Sequence, residues 1–402
     1  GTESERLEHA DALRTAATAA HAALLGDASG TDQPDTVGLV GFARRTLDQV
    51  RAHDPALATL SDRLAELTGH DEQIANHAAE HKEVVDQEAA LATTISSFVN
   101  AGLLTLMALT CYWLSGATIG GAAVACLFLV LGFALFGKNL LNVWFIVLGV
   151  FLYARFKREP FARHINVAFF GAALSPIFTE ILFSSALPLQ ASLPLAVATT
   201  LGLGFVLVPC AAHLFNAHMG HTLYNIGWVA GILGTLTVAV YKSYGFVPDP
   251  VFIWTTGNNG LLGSMLALLF IAMGLGGWWL DREAWHKQGW ILRQSGRSPT
   301  DFVDQAGMGP TLLNMGLTGA LGTAYVLAVG SDLNGPTVGA IFTIVGFSAF
   351  GKHPRNIVPI MLGVFIASML KDWSADDPSA VLAALFGTTL APIAGRFGWR
   401  WG

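Results

Sequence analysis

Past residue 96, apolar positions along this chain do not alternate with polar ones but run on. Stretches of 16 to 22 mostly apolar residues recur at 97–116, 119–137, 139–156, 165–185, 191–212, 221–241 and 259–280. After a polar loop at 281–308 they return at 310–330, 335–351, 356–371 and 379–396. A helix needs about 20 such residues to cross roughly 30 Å of hydrocarbon. The pattern therefore predicts eleven membrane segments, of which 165–185 and 379–396 also read as re-entrant hairpins. Gly and Pro inside the runs fit that reading, because neighbouring lipid-embedded helices can satisfy the freed backbone groups. Before residue 97 the spacing is different. Leu7, Leu13, Ala17 and Ala20 sit at helical intervals, and the apolar stripe is narrow. Helices are predicted at 3–25, 37–52, 55–67 and 71–91, with a Gly/Asp/Pro-bearing loop at 26–34. Such helices need a partner to bury their stripe.

Charge divides the chain at the same place. Residues 1–96 carry a net charge of −10 and residues 97–402 a net charge of +4. Mean hydropathy is positive and only 12% of residues are charged, against about 25% in soluble domains. Water suits the first part and lipid the second. The cysteines Cys111, Cys126 and Cys210 lie in apolar runs without ligand spacing and read as small packing residues.

The apolar part repeats itself. Asn100-Ala-Gly102-Leu103 recurs as Asn314-Met-Gly316-Leu317, an offset of 214. The same offset pairs Gly132-Phe133 with Gly346-Phe347, Phe136-Gly137-Lys138 with Phe350-Gly351-Lys352, and Asn142 with Asn356. Between 100 and 151, 18 of 52 positions are identical without a gap. An offset of 216 then pairs Phe170-Gly171 and Pro176-Ile177 with Phe386-Gly387 and Pro392-Ile393. This is a tandem duplication. The loop after the third segment carries Arg155, Lys157, Arg158 and Arg163; its counterpart carries Lys371, Asp372, Asp376 and Asp377. Cytoplasmic loops are rich in Lys and Arg, so the two loops are expected on opposite sides. The seven spans between equivalent points require the same. The copies are thus expected to have inverted topology, as in many secondary transporters. The second copy breaks off after Pro392, which leads us to expect a further segment with a second Leu-Tyr-Asn motif.

The fold class expected is an all-α, polytopic helical membrane bundle with an inverted internal repeat, preceded by a soluble helical, coiled-coil segment. Its domains are 1–96, then 97–308 as the first copy and 309–402 as the incomplete second.

Two resemblances accompany this reading. The run ERLEHADALRTAATAAHAALLGD, followed by TLDQVRAHDPALATLSDRLAEL, resembles the coiled-coil arm of actinobacterial RecN, a family of DNA-repair ATPases, over residues 1–68. No nucleotide-binding motif accompanies it, so the segment reads as foreign or fused to the membrane part. The motifs GFALFGKNLLNVWFIVLGVFLYARFKREPF, GAALSPIFTE and HTLYNIGWVAGILGT resemble a bacterial membrane family, domain of unknown function 1576, over about 95–402. That resemblance implies the membrane fold and supplies no substrate and no functional residues.

Candidate chemistry lies where polar residues interrupt lipid-like sequence. Lys138 and Lys352 end the second span of each copy, with Asn142 and Asn356 four residues on. The lysines either snorkel to water or point into a vestibule shared by the copies, which would suit an anionic or polar solute. Ser175-Pro176 and Ala391-Pro392 break equivalent segments, and paired breaks point to a midplane site. Glu180 follows one break, and an intramembrane acid is a functional candidate. His213, Asn216, His218, His221, Tyr224 and Asn225 form the densest polar cluster; the structural reading is an interfacial loop, the functional one proton or solute handling. No acid lies close enough in sequence to complete a metal site, and no phosphate-binding loop, triad or cofactor motif occurs.

The leading expectation is a multi-pass protein of the inner or plasma membrane. It would act as a transporter or channel for a small polar or anionic solute, with its site between the repeats. Its partners would be the lipid bilayer, that solute and, in a homo-oligomer, further copies; the membrane part implies no nucleic acid. An intramembrane enzyme is the first alternative and would need Glu180 to converge with His218 and His221. A membrane scaffold or sensor that binds partners through its N-terminal helices is the second.

Overall fold

A computed structural model describes residues 94–184, 187–246 and 253–398. The helices, loop and coiled-coil arm expected before residue 94 lie outside the described residues. The chain divides into two units, Gly1–Glu88 and Ala89–Gly402, and the described residues belong to the second. They are helical, with no strand among them.

Eight helices come first: α1 (Thr94–Ser115), α2 (Gly121–Phe133), α3 (Val143–Lys157), α4 (Ile165–Gly171), α5 (Pro176–Leu182), α6 (Leu189–His218), α7 (Asn225–Ser243) and α8 (Asn259–Leu280). The stretch expected as a loop at 281–308 instead holds α9 (Ala284–Ile291) and α10 (Phe302–Ala306). The carboxylate of Asp301 caps α10 by accepting from Val303 N and Asp304 N, and it also accepts from Gly121 N at 2.8 Å. Then follow α11 (Met308–Ala328), α12 (Gly335–Phe347), α13 (Pro354–Leu370), α14 (Pro378–Gly387) and α15 (Ala391–Phe397).

Six runs are long and apolar enough to cross a membrane: α1, α6, α7, α8, α11 and the α14–α15 run. The α4–α5 pair, bent by 43°, makes a seventh if it is one broken span. Every stretch read as a membrane segment holds helix, but α2, α3, α12 and α13 are shorter than a full crossing, so six or seven crossings replace the eleven expected. The second segments end early because the chain turns at Gly137 (φ +129°) and Gly351 (φ +156°), conformations that glycine adopts at little cost. The chain is a multi-pass helical membrane protein.

The centre of the unit is a close crossing of α2 and α12. Seen from its ends, Gly121 faces Ala349 and Phe350, while Gly335 faces Leu135 and Phe136. Between them, Gly346 lies on Ala125 and Phe128, and Gly132 on Gly339. The helices therefore run antiparallel. A Cβ on Gly132 would stand 2.9 Å from Gly339 Cα, so glycine is what lets the backbones approach. In lipid such packing, rather than hydrophobic burial, draws helices together. The contacts are also reciprocal. Gly132 and Gly346 are 214 residues apart, as are Ala125 and Gly339, and each pair exchanges partners. Phe128 packs edge-on to Phe342, its own counterpart, with centroids 6.1 Å apart. Phe170 meets Phe347 at 5.3 Å, and their counterparts Phe386 and Phe133 meet at 6.1 Å.

Candidate functional site

The two Phe-Gly-Lys turns are built alike. Lys138 N donates to Phe133 O (3.2 Å) and Lys352 N to Phe347 O (3.1 Å). Asn100 Nδ2 donates to Ala134 O and Lys138 O, both at 2.8 Å. Asn314 Nδ2 donates to Ser348 O and Lys352 O, again both at 2.8 Å. Each asparagine thus holds two carbonyls that the end of its neighbouring helix would leave unpaired. Asn142 Nδ2 donates to Gly137 O at 2.9 Å and Asn356 Nδ2 to Gly351 O at 2.9 Å. Four residues apart, each lysine and asparagine would share a face only if the helix were continuous. The chain is turned there instead, and both asparagines are spent on holding the turn.

Neither lysine snorkels. Lys138 is 2% exposed and Lys352 fully buried. Nor do they share a vestibule. The antiparallel crossing sets them at opposite ends of α2 and α12, whose 13 residues span about 20 Å at 1.5 Å per residue. Their surroundings differ. Lys352 Nζ donates to the Tyr224 hydroxyl and to Thr388 Oγ1 (2.6 Å), and lies 4.4 Å from the Tyr224 ring centroid. Lys138 Nζ lies 4.7 Å from the Phe133 centroid and has no hydrogen-bond acceptor among the described residues.

Both predicted breaks exist. Each is a single 3-10 turn followed by a proline-led short helix: Ala172–Leu174 then Pro176, and Thr388–Leu390 then Pro392 at the start of α15. Ser175 Oγ is buried without a partner among the described residues. The second break is sewn to the loop before α7. Leu223 N donates to Thr389 O at 3.0 Å and Tyr224 N to Thr389 Oγ1 at 3.0 Å, and the Thr222 and Thr389 hydroxyls are 2.8 Å apart. Thr388 and Thr389 escaped the sequence reading. The available signal was their place opposite Ala172 and Ala173 in the repeat, where hydroxyls replace methyl groups. Gln288 also escaped it; on α9 it donates to Asn314 Oδ1 at 3.0 Å.

The histidine cluster is local architecture. Gly220 N donates to His218 Nδ1 (3.2 Å), so His218 Nε2–H donates to Asn225 Oδ1 (2.9 Å). Asn225 Nδ2 donates to Ala211 O at 3.1 Å. His221 stacks on Phe397, its Nδ1 3.2 Å from His218 O. His213 and Asn216 are exposed, as is Glu180 on α5. Phe178 and Ile181 on α5 pack on Ala196 near the start of α6. His218 is the last residue of that helix, on the order of 30 Å further along. Glu180 and His218 are therefore not brought together as the enzyme reading requires. Among the described residues no three His, Cys, Asp or Glu side chains gather as a metal cluster.

A cavity of about 540 Å³ borders the first Phe-Gly-Lys turn, between α1, α8 and the start of α12, with Ser97, Asn258 and Asn334 as polar lining. At the second turn the corresponding space is filled, because Gly351 packs on Gly296 O and the Leu223 side chain. Ion pairs sit in the loops. His164 Nε2 lies 2.5 Å from Glu159 Oε2, and this hydrogen bond first, then the positive charge of Arg163, holds the Glu159 carboxyl below its ordinary range. Lys287 Nζ donates to Asp281 at 2.6 Å, which lowers the Asp281 carboxyl and raises the Lys287 ammonium.

The family described as "Protein of unknown function (DUF1576)" matches residues 75–243 and 280–401, well over half of the chain. The chain belongs to this family. The match begins about twenty residues before the first apolar stretch and leaves out 244–279, so α8 lies outside it. A second similarity is to "DNA repair protein RecN" of Streptomyces coelicolor, 44% identical over 65 residues. It covers 16% of this chain and 11% of RecN, too little to carry an arm structure or an activity across. No solved structure matches.

Proposed function

We propose that this family member is a transporter or channel for a small polar or anionic solute, built as an inverted repeat in the inner or plasma membrane of a bacterium. The observation that carries the reading is the reciprocal antiparallel crossing of α2 and α12. Equivalent helices that exchange equivalent partners while running in opposite directions are related by a half-turn perpendicular to their axes. With those axes along the bilayer normal, the copies face opposite sides, an arrangement typical of alternating-access carriers. Loop charge supports it. The basic loop between α3 and α4 belongs inside and the acidic one between α13 and α14 outside. The inequality of the two Phe-Gly-Lys turns supports it too. One borders a mostly apolar cavity that includes Ser97, Asn258 and Asn334 in its lining, while the other is closed by Leu223 and Gly296, as a carrier open to one side requires.

Solute entering that cavity would meet the Gly137–Lys138 turn, with the Ser175-Pro176 break packed behind it: a Cβ on Gly137 would lie 3.8 Å from Pro176 Cγ. Buried cations in membrane segments are costly and are retained for function. The test is flux into proteoliposomes over halides, nitrate, phosphate and small carboxylates. Wild-type protein should move at least one, and Lys138→Met should slow that flux tenfold or more. No flux over the whole panel would overturn the proposal.

A further inference from the structure

Another cavity, of about 420 Å³, lies where the loop after α9, the start of α13 and the end of α15 meet. Arg293, Gln294, His353, Arg355, Gly395 and Gly398 are in its wall. Two arginines thus border it, and no Asp or Glu does among the described residues. Residues 399–402, which follow Gly398 in the sequence, add Arg400 and no acidic side chain. The frame of the cavity is fixed. Buried His353 donates from Nε2–H to Gln294 O at 3.0 Å, which holds the loop to the start of α13. Gly395 brings α15 against the same loop, since a Cβ there would stand 2.2 Å from Ser295 O. Arg293 and Arg355 are exposed, so their guanidinium groups are open to a ligand.

Position and rim decide which anion suits it. The bent α4–α5 pair, α6, α7 and α8 separate this loop from the basic loop between α3 and α4. Four crossings return the chain to the same side, the inner one. Exposed aromatic side chains flank the cavity on two walls: Trp285 and Trp290 on α9, and Phe397 beside Gly395 and Gly398. Tryptophans exposed in this way sit at the level of the lipid headgroups. Trp290 connects to the cavity wall through packed rings, with centroids 6.4 Å from Trp290 to Phe302 and 6.5 Å from Phe302 to His353. A free anion would call for the arginines alone. Arginines rimmed by exposed aromatic rings at headgroup level suit a phosphate that carries acyl chains.

We infer that this cavity binds the headgroup of an anionic phospholipid of the inner leaflet. Its phosphate would lie between Arg293 and Arg355, and its glycerol and acyl chains along Trp290 and Phe397. Guanidinium groups fit phosphate because their paired donors match its oxygens, and basic pockets between membrane helices on this side bind such headgroups. The two arginines belong to different walls, so one phosphate would tie the loop to α13. Those segments carry Gly296 and Gly351, whose contact closes the second Phe-Gly-Lys turn, and bound lipid should therefore stabilise the fold. The inference rests on the sidedness in the proposed function but not on transport.

The test uses the full chain in dodecyl maltoside micelles at fixed ionic strength. It is titrated with dioleoyl phosphatidylglycerol, with dioleoyl phosphatidylcholine, whose ammonium opposes the arginines, or with inorganic phosphate. Native mass spectrometry counts bound lipid, and circular dichroism follows the thermal midpoint. Wild type should hold one phosphatidylglycerol per chain more tightly than phosphatidylcholine, and its midpoint should rise with phosphatidylglycerol alone. Arg293→Gln and Arg355→Gln should each weaken that binding about threefold to fivefold, the upper worth of an exposed ion pair. Arg293→Lys keeps the charge without the paired donors and should fall between. Arg282→Gln removes a cation that lies over the Trp278 ring, outside the cavity wall, and should change nothing. Equal binding of the two lipids overturns the inference, as does a loss with Arg282→Gln as large as with Arg293→Gln. A midpoint raised as far by inorganic phosphate marks a site for the free anion and overturns it too. Neither readout involves flux, so failure here and failure of the transport proposal are separate results.

Discussion

The α2–α12 crossing makes a quantitative demand on two glycines. An alanine at Gly132 would put its Cβ 2.9 Å from Gly339 Cα and O and 3.1 Å from Phe342 Cβ; one at Gly346 would lie 2.8 Å from Phe128 Cβ and 3.0 Å from Ala125 Cα. Carbon atoms prefer about 3.5–4.0 Å, and a gap of 0.5–1 Å forfeits a quarter to a half of the contact energy along the interface. Backbone atoms cannot swing aside, so the helices must separate. Overpacking of this kind costs about 1–3 kcal/mol. The better helix propensity of alanine returns up to about 1 kcal/mol. The net loss should be about 0–2 kcal/mol at each glycine, which is about 1–3 kcal/mol below an alanine that meets no clash, and alike at both because the contacts are reciprocal. Gly102→Ala meets nothing within 4 Å among the described residues and should gain up to about 1 kcal/mol from propensity alone. Unfolding in mixed micelles by added dodecyl sulfate, followed by circular dichroism, measures all three. Gly132→Ala as stable as Gly102→Ala would refute the crossing. A large loss at Gly132 with none at Gly346 would refute its reciprocity.

Two further outcomes follow from the hydrogen bonds. Asn314 makes three buried bonds, to Ser348 O, Lys352 O and Gln288 Nε2, each worth about 0.5–1.5 kcal/mol net. Asn314→Ala should lower stability by about 2–4 kcal/mol in the same assay and Asn100→Ala, with two bonds, by less; the reverse order would contradict the two clamps as described. The Glu159 carboxyl is held low in the fold, so its contribution is complete above the ordinary glutamate range near 4.3. It fades as pH falls through the lower folded value. The thermal midpoint of wild type in detergent should therefore drop below pH 4 more steeply than that of Glu159→Gln, and parallel curves would remove the contact.

The helices and the paired breaks were legible because each follows from local sequence. Apolar run length marks the helices, though only six or seven of the eleven expected segments are long enough to cross, and Pro176 and Pro392 mark the short helices that restart after a 3-10 turn. What local pattern could not give was the direction of each side chain. Lys138 and Asn142 would share a face only in a continuous helix, yet Gly137 turns the chain between α2 and α3 and Asn142 closes that turn. Polarity could not say whether Glu180 converges with the histidines, as the enzyme alternative needs, and the length of α6 separates Glu180 from His218. The 281–308 stretch hid two helices because α9 mixes Trp, His, Lys and Gln with no apolar run.

The same considerations explain why two turns of nearly identical sequence hold lysines in different states. The side-chain hydrogen bonds that hold each Phe-Gly-Lys turn come from matching asparagines: Asn100 or Asn314 on a preceding helix, and Asn142 or Asn356 just after. Those residues are shared, and so is the geometry. What the ammonium meets comes partly from elsewhere. Lys352 is met by Thr388, where the other copy has Ala172, and by Tyr224 from the loop clipped to Thr389. Matching residues around the two turns thus accompany matching backbone hydrogen bonds, while the two lysine sites differ through Thr388 in place of Ala172 and through the Tyr224 contact. The difference between the lysines is thus as much a property of α7 and its preceding loop as of the turns that bear them.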